Sequence, residues 1–180
     1  MVYLLLGTGF EEMEAITPCD LLRRAGVEVK TVGVDGKTVC GSHGIRVEAD
    51  LTIDQIDHAQ AEMIILPGGL GGVKTLGSSE AALEAVRQVW DRGAYAAAIC
   101  AGPTVLAKLQ ITDGKNATCY PGHECNMGTA IMAENAAVVR DGNLITGTSA
   151  GCAIPFGLAL IAALKGQEAA DKVAAQIVIR

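Results

Sequence analysis

The sequence predicts an α/β domain in which a parallel sheet is sandwiched by helices, and three observations carry that prediction. Short apolar runs at 2–6, 62–66 and 95–100 read as buried strands, because alternating polar positions are missing from them. They alternate with longer stretches of helical pattern, the order that produces βαβ units and helices on both faces of a sheet. Half of the 180 residues are apolar but only 3% are aromatic, so the core is built from Ala, Val, Leu and Ile, which suits close packing of helix on sheet. That length suits one domain, 1–180, with one core and no linker.

In chain order, the first strand (2–6) leads through Gly7-Thr8-Gly9 into a helix over 11–24. Acids begin this helix, Arg23 and Arg24 end it, and Gly26 follows, as the helix dipole and a C-terminal glycine predict. A strand over 28–34 comes next, then a mixed stretch over 35–61 with short extended pieces near Val39-Cys40 and over 45–48. The strand at 62–66 runs into Pro67-Gly68-Gly69, a turn. A helix over 79–91 starts at a serine and stops before Gly93. The strand at 95–100 meets a helix opened by Pro103, and a further strand is expected over 117–120. Strands over 136–140 and 143–146 pair across the Asp141-Gly142 turn. Two helices, 153–164 and 167–176, follow.

The formal net charge is −6 and the pI is near 5.0. No basic run exceeds Arg23-Arg24, so the electrostatic footprint of a nucleic-acid binder is missing and no nucleic-acid partner is expected. The first residues carry no basic leader, which predicts a cytoplasmic protein. Residues 142–164 are uncharged and long enough to cross a bilayer, but Gly, Ser and Pro155 divide them into a strand, a turn and a short helix, so no membrane partner is expected. Six cysteines at irregular spacing, with no Cys-x-x-Cys, predict free thiols rather than disulfides. Cys119, His123 and Cys125 match no structural zinc spacing, and no metal or cofactor is expected.

Ligands of such sheets gather beyond the carboxyl ends of the strands. That singles out Gly7 to Glu14, Pro67 to Gly72 and Cys100 to Pro103. In Ala98-Ile99-Cys100-Ala101-Gly102-Pro103 a thiol follows a buried strand at an abrupt entry into a helix, the logic of a nucleophile elbow. A cysteine chosen at random is most often an inert core thiol. Here free amides at the turn and the helix start predict a lowered pKa and a reactive thiolate. Gly68-Gly69 lets backbone amides face an oxyanion.

Taken together, Glu11-Glu12-Met13-Glu14, Arg23-Arg24-Ala25-Gly26, Leu66-Pro67-Gly68-Gly69 and Ala98-Ile99-Cys100-Ala101-Gly102-Pro103 resemble the ThiJ/PfpI superfamily, in its DJ-1-like branch, over essentially the whole chain. The resemblance implies a flavodoxin-like sheet (class I glutamine-amidotransferase-like) and a homodimer. It implies that Cys100 is the nucleophile and oxidation-sensitive residue, that Glu14 is a protonated carboxyl bonded to its sulfur, that the amides of Gly69 and Ala101 form the oxyanion pocket, and that Arg24 stands near the dimer-side wall. Ala101 occupies the place where PfpI-like proteases carry histidine, which removes a Cys-His dyad. A base, if one is used, is left among Glu14, Tyr120 and His123. The implied activity is glutathione-independent detoxification of reactive carbonyls, of glyoxalase or deglycase type, on a small aldehyde or a glycated substrate. The alternative is a non-enzymatic redox-sensing stress protein or chaperone acting through oxidation of Cys100.

Overall fold

A computed structural model describes residues 1–179. The strands are β1 (Val2–Leu6), β2 (Val29–Gly33), β3 (Thr38–Cys40), β4 (Arg46–Glu48), β5 (Leu51–Thr52), β6 (Met63–Leu66), β7 (Tyr95–Ile99), β8 (Asn116–Ala117), β9 (Ile131–Met132), β10 (Val138–Asp141) and β11 (Leu144–Gly147). The helices are α1 (Glu12–Arg24), α2 (Leu70–Ser78), α3 (Glu80–Asp91), α4 (Pro103–Lys108), α5 (Ala153–Lys165) and α6 (Gln167–Gln176). The main sheet has the order β10-β11-β7-β6-β1-β2-β5. Its pairs are parallel except for the edge hairpin β10–β11, in which Asp141 faces Leu144.

Strand pleating sorts the apolar runs onto two faces. From β1, Val2, Leu4 and Leu6 join one core with α1, α5 and α6, while Tyr3 and Leu5 join the other with α3 and α4. Met63 and Ile65 of β6, and Ala97 and Ile99 of β7, likewise fall on the first face. Ile64, Leu66, Ala96 and Ala98 fall on the second. The alanines of β7 leave room for helices to lie close, as the low aromatic content predicts.

Residues 70–78, to which the sequence pattern assigns no element, form a helix. Gly71 and Gly72 weaken the local helical pattern, but they let α2 lie against the backbone of Gly9 and Phe10. A Cβ at Gly72 would stand 2.7 Å from Phe10 Cα. The strand expected over 117–120 stops at Ala117. Beyond it the Thr118 N–H donates to Thr146 Oγ1 at 2.9 Å, and the Tyr120 N–H donates to the Cys100 carbonyl at 2.8 Å. A side-chain acceptor thus takes the place of a continued ladder. Residues 142–164 divide as expected, and among the described residues no helix is long and apolar enough to cross a membrane.

On the first face, α1 and α5 cross where Gly157 has no side chain: a Cβ there would lie 2.6 Å from Leu21 Cδ1 and 3.2 Å from Pro18 Cα. Pro18 is inside α1; it lacks the N–H that would bond the carbonyl of Glu14. Substituting Gly72→Ala, on the other face, forces a methyl group into the Phe10 backbone. The expected loss is about 1–3 kcal/mol in urea unfolding, with slower alkylation of Cys100 because residues 9–11 move. Unchanged stability would show that this contact is slack.

Candidate active site

The order β7-β6-β1 makes three chain segments neighbours at one end of the sheet: Cys100 after β7, Pro67 to Gly69 after β6, and Gly7 to Glu14 after β1. All three were singled out by sequence, and their adjacency follows from the crossovers.

Cys100 has φ +64°, a left-handed conformation that costs a non-glycine residue about 1–3 kcal/mol. Surrounding bonds hold it there: its N–H donates to the Gly147 carbonyl at 2.9 Å and its own carbonyl accepts from Tyr120. Gly102 completes the turn because a Cβ there would meet the Leu66 carbonyl oxygen at 2.5 Å. Pro103 then opens α4.

Glu14 occupies the third position of α1 and is 0% exposed. A glutamate at this place commonly reaches back to the capping residue's N–H. Here it does not. The Gly68 N–H donates to Glu14 Oε2 at 2.8 Å, and the Gly68 carbonyl accepts from the Glu11 N–H at 3.0 Å. One residue, Gly68, therefore locks the turn after β6 to the start of α1 through both of its backbone polar groups. A Cβ on Gly68 would lie 2.5 Å from Glu14 Oε2, 2.8 Å from Cys100 Cβ and 3.1 Å from the Ala101 nitrogen, so the carboxyl, the cysteine and the amide converge on one point. The other carboxyl oxygen, Oε1, is buried without a hydrogen-bond partner.

Burial pushes the Glu14 carboxyl up to about 7; bonds from Cys100 and Gly68 oppose the rise and the charge of Glu11 adds to it. The expectation of a lowered Cys100 pKa is corrected. Burial first, then the negative charge of Glu14 and its hydrogen bond, push the thiol up to about 12, while the amides of Ala101 and Gly69 pull it down. The contribution of Glu14 depends on its proton. Once protonated, the carboxyl no longer repels a thiolate and its O–H becomes a donor, so the two groups titrate as a pair that releases one proton and holds the second.

Tyr120 is tied to Cys100 only through its backbone; the residue is 46% exposed, and its ring meets His123 edge-on, with centroids 6.1 Å apart. Arg24 is not brought to Cys100 within this chain. It lies at the far end of α1, exposed, with Nε 2.8 Å from Asp20 Oδ2. Cys119, His123 and Cys125 do not gather at ligand spacing; among the described residues Glu11, Glu12 and His43 do. A cavity of about 540 Å³ behind residues 118–121 includes Cys119, Glu124 and Cys152 in its wall, but not Cys100.

Sequence reasoning missed the buried Glu12, which accepts from the His43 N–H at 2.8 Å and lies 2.9 Å from His43 Nδ1. Burial would raise this carboxyl, but hydrogen bonds from the side chain and backbone of His43, with others, outweigh it and hold the group at about 2. Consecutive acids at a helix start look like solvated dipole partners. Only the facing 41–45 turn distinguishes Glu12.

A buried carboxyl beside a cysteine in a left-handed turn, placed at the central strand ends of a doubly wound sheet, defines a cysteine–carboxyl α/β protein. The chain belongs to the DJ-1/PfpI family, whose model matches residues 1–163. It is similar to protein dj-1beta of Drosophila melanogaster, at 36% identity over 97% of this chain and 95% of that one. The crystal structure of Drosophila DJ-1beta superposes with a TM-score of 0.94 at 35% identity, covering 99% of this chain and 97% of that one. A Pyrococcus horikoshii protein named a deglycase is 32% identical over 81% of this chain and 87% of its own length.

Ionisation of Glu14 is disfavoured in the folded protein, since its value rises from 4.5 to about 7. The stability associated with this group is therefore complete below its unfolded value and lost as pH rises through the folded one. Glu14→Gln should gain on the parent protein by about 2–3 kcal/mol between about pH 4 and about pH 8, read by urea unfolding at the two values. A pH-independent difference would mean that the carboxyl is not raised.

Proposed function

We propose that the protein converts small reactive dicarbonyls, such as methylglyoxal or glyoxal, to hydroxy acids, using Cys100 as nucleophile and no cofactor. The observation that carries this reading is the buried, unpartnered Oε1 of Glu14 beside a cysteine thiol on which the amides of Gly69 and Ala101 exert a downward pull. An ionised carboxylate oxygen without a donor is costly in that position. A protonated carboxyl instead donates to a thiolate and keeps a proton available. The deglycase name of the Pyrococcus relative supports a carbonyl or glycated substrate.

In the first step the thiolate attacks the aldehyde carbon, a C–S bond forms, and the carbonyl oxygen takes the electron pair as an oxyanion facing the two amides. Protonation by Glu14 gives a hemithioacetal. Glu14, now a carboxylate, removes the hydrogen from the former aldehyde carbon and returns it to the adjacent carbon through an enediol. The aldehyde carbon is thereby oxidised to a thioester while the neighbouring carbonyl is reduced to an alcohol, so no external oxidant is required. Water hydrolyses the thioester, releasing the hydroxy acid and the thiol; the net reaction adds one water. We assign the base to Glu14 because it is buried at the thiol, whereas the Tyr120 ring is turned to solvent. Lactate should form from methylglyoxal without glutathione, and Cys100→Ala should lower the rate by at least about a hundredfold. Lactate formation unaffected by that substitution would remove the assignment.

A second reading, redox sensing, is favoured by the partial exposure of Cys100 together with two amides able to hold an added oxygen. Peroxide is expected to oxidise Cys100 to sulfenic and then sulfinic acid before the other thiols. Cys19 and Cys119 are buried, whereas Cys40 and Cys152 are half-buried like Cys100 and are set apart from it by lacking the neighbouring amides. Exposed Cys125 is the real competitor. Peptide mass spectrometry after limited oxidation gives the order, and earlier modification of Cys125 would refute the preference.

The assembly we propose is a homodimer. Met13 and Ile16 lie three residues apart on α1 and are 55% and 43% exposed, an apolar stripe that the α1–α5 contact does not cover. Sedimentation should give twice the 18.5 kDa chain mass, and a monomer at micromolar concentration would refute the dimer.

A further inference from the structure

We infer that Glu11 is a positioning residue that sets the proton affinity of the Glu14–Cys100 pair, an inference that rests on the site reading proposed above. Glu11 touches both halves of that site. Its side chain caps α1, with Oε2 accepting the Glu14 N–H at 2.8 Å, and its own N–H donates to the Gly68 carbonyl at 3.0 Å. Gly69, whose amide faces the Cys100 sulfur, lies so close that a Cβ there would stand 2.7 Å from the Glu11 nitrogen.

The side chain chosen is unusual for its place. Ser, Thr or Asn would satisfy the same amide with a shorter reach and no charge. The distinctive property of Glu11 is a negative charge at the start of α1, close to a carboxyl. The helix dipole at this end favours an ionised Glu14, which would leave the sulfur facing a like charge. The Glu11 carboxylate opposes that field, and its charge is among the causes that raise Glu14. The titratable groups facing Glu14 are Cys100, from the turn after β7, and Glu11. Glu12 bonds to Ser42 and His43, and the Glu12 carboxylate and the His43 ring face Glu11 itself, with polar atoms within 4.8 Å of one another.

Glu11→Gln separates charge from capping, because the amide oxygen still accepts the Glu14 N–H. The rate of Cys100 alkylation by iodoacetamide is measured against pH in the full chain, with peptide mass spectrometry to follow Cys100 alone. The midpoint should fall by about half a pH unit in Glu11→Gln and stay at the parent value in Glu11→Asp, which keeps the charge. An unmoved midpoint in Glu11→Gln, with circular dichroism unchanged, would reduce Glu11 to a helix cap and overturn the inference. Glu14→Gln separates the two levels of the proposal. If it leaves the parent midpoint in place, Glu14 does not titrate with Cys100, and the site reading and this inference fall together. If it shifts the midpoint while Glu11→Gln does not move it, only the role of Glu11 fails.

Discussion

The bond from the Gly68 N–H to Glu14 Oε2 ties together the parts on which the site depends. It fixes the turn after β6 against the first turn of α1, and it satisfies one oxygen of a carboxyl that is wholly out of water. Removing water from a carboxyl makes its charge expensive, and a single amide donor does not compensate for that loss. The second oxygen, Oε1, is buried without a hydrogen-bond partner. Proton affinity, burial and proximity to Cys100 are thus one arrangement. Exposing Glu14 would relax all three, and filling Gly68 with a side chain would collide with all three at once.

The strained backbone of Cys100 fits the same constraint. A left-handed cysteine is unfavourable, yet it is bonded through its N–H to β11 and through its carbonyl to Tyr120. Two neighbouring segments therefore over-determine its conformation. The turn after β7 brings the Ala101 amide toward the sulfur, and the turn after β6 supplies the amide of Gly69. These donors meet because β6 and β7 are adjacent in the sheet, although the residues are far apart in the chain.

Much of the fold was legible because buried parallel strands announce themselves as short apolar runs and need no knowledge of their partners. The helix at 70–78 was not legible. Its glycines, poor by propensity, serve the close approach to Gly9 and Phe10, a contact visible only after β1 and β6 are paired. The strand expected over 117–120 failed for a similar reason, since the Thr146 hydroxyl captured the Thr118 N–H. At the site, Cys100 could be singled out from its turn alone. The roles expected of Glu14, Gly69 and Ala101 came from a resemblance, since helical spacing does not say which acid faces inward. The lowered thiol pKa was expected from amides and helix start alone; burial beside Glu14 reverses its sign.

The contrast between two acids two positions apart on one helix shows how far local sequence reaches. Glu12 and Glu14 are both buried, share the same helix start and carry the same functional group. Glu12 receives several donors from residues 42–43 and is held at about 2. Glu14 receives the Gly68 amide on one oxygen, lies beside the Cys100 thiol, and is raised to about 7. Positions two apart on a helix point to different sides, so one acid faces the 41–45 turn and the other the strand ends of β6 and β7. Donor supply, set by tertiary position, makes one carboxylate a permanent anion that anchors a turn and leaves the other able to exchange a proton near neutrality.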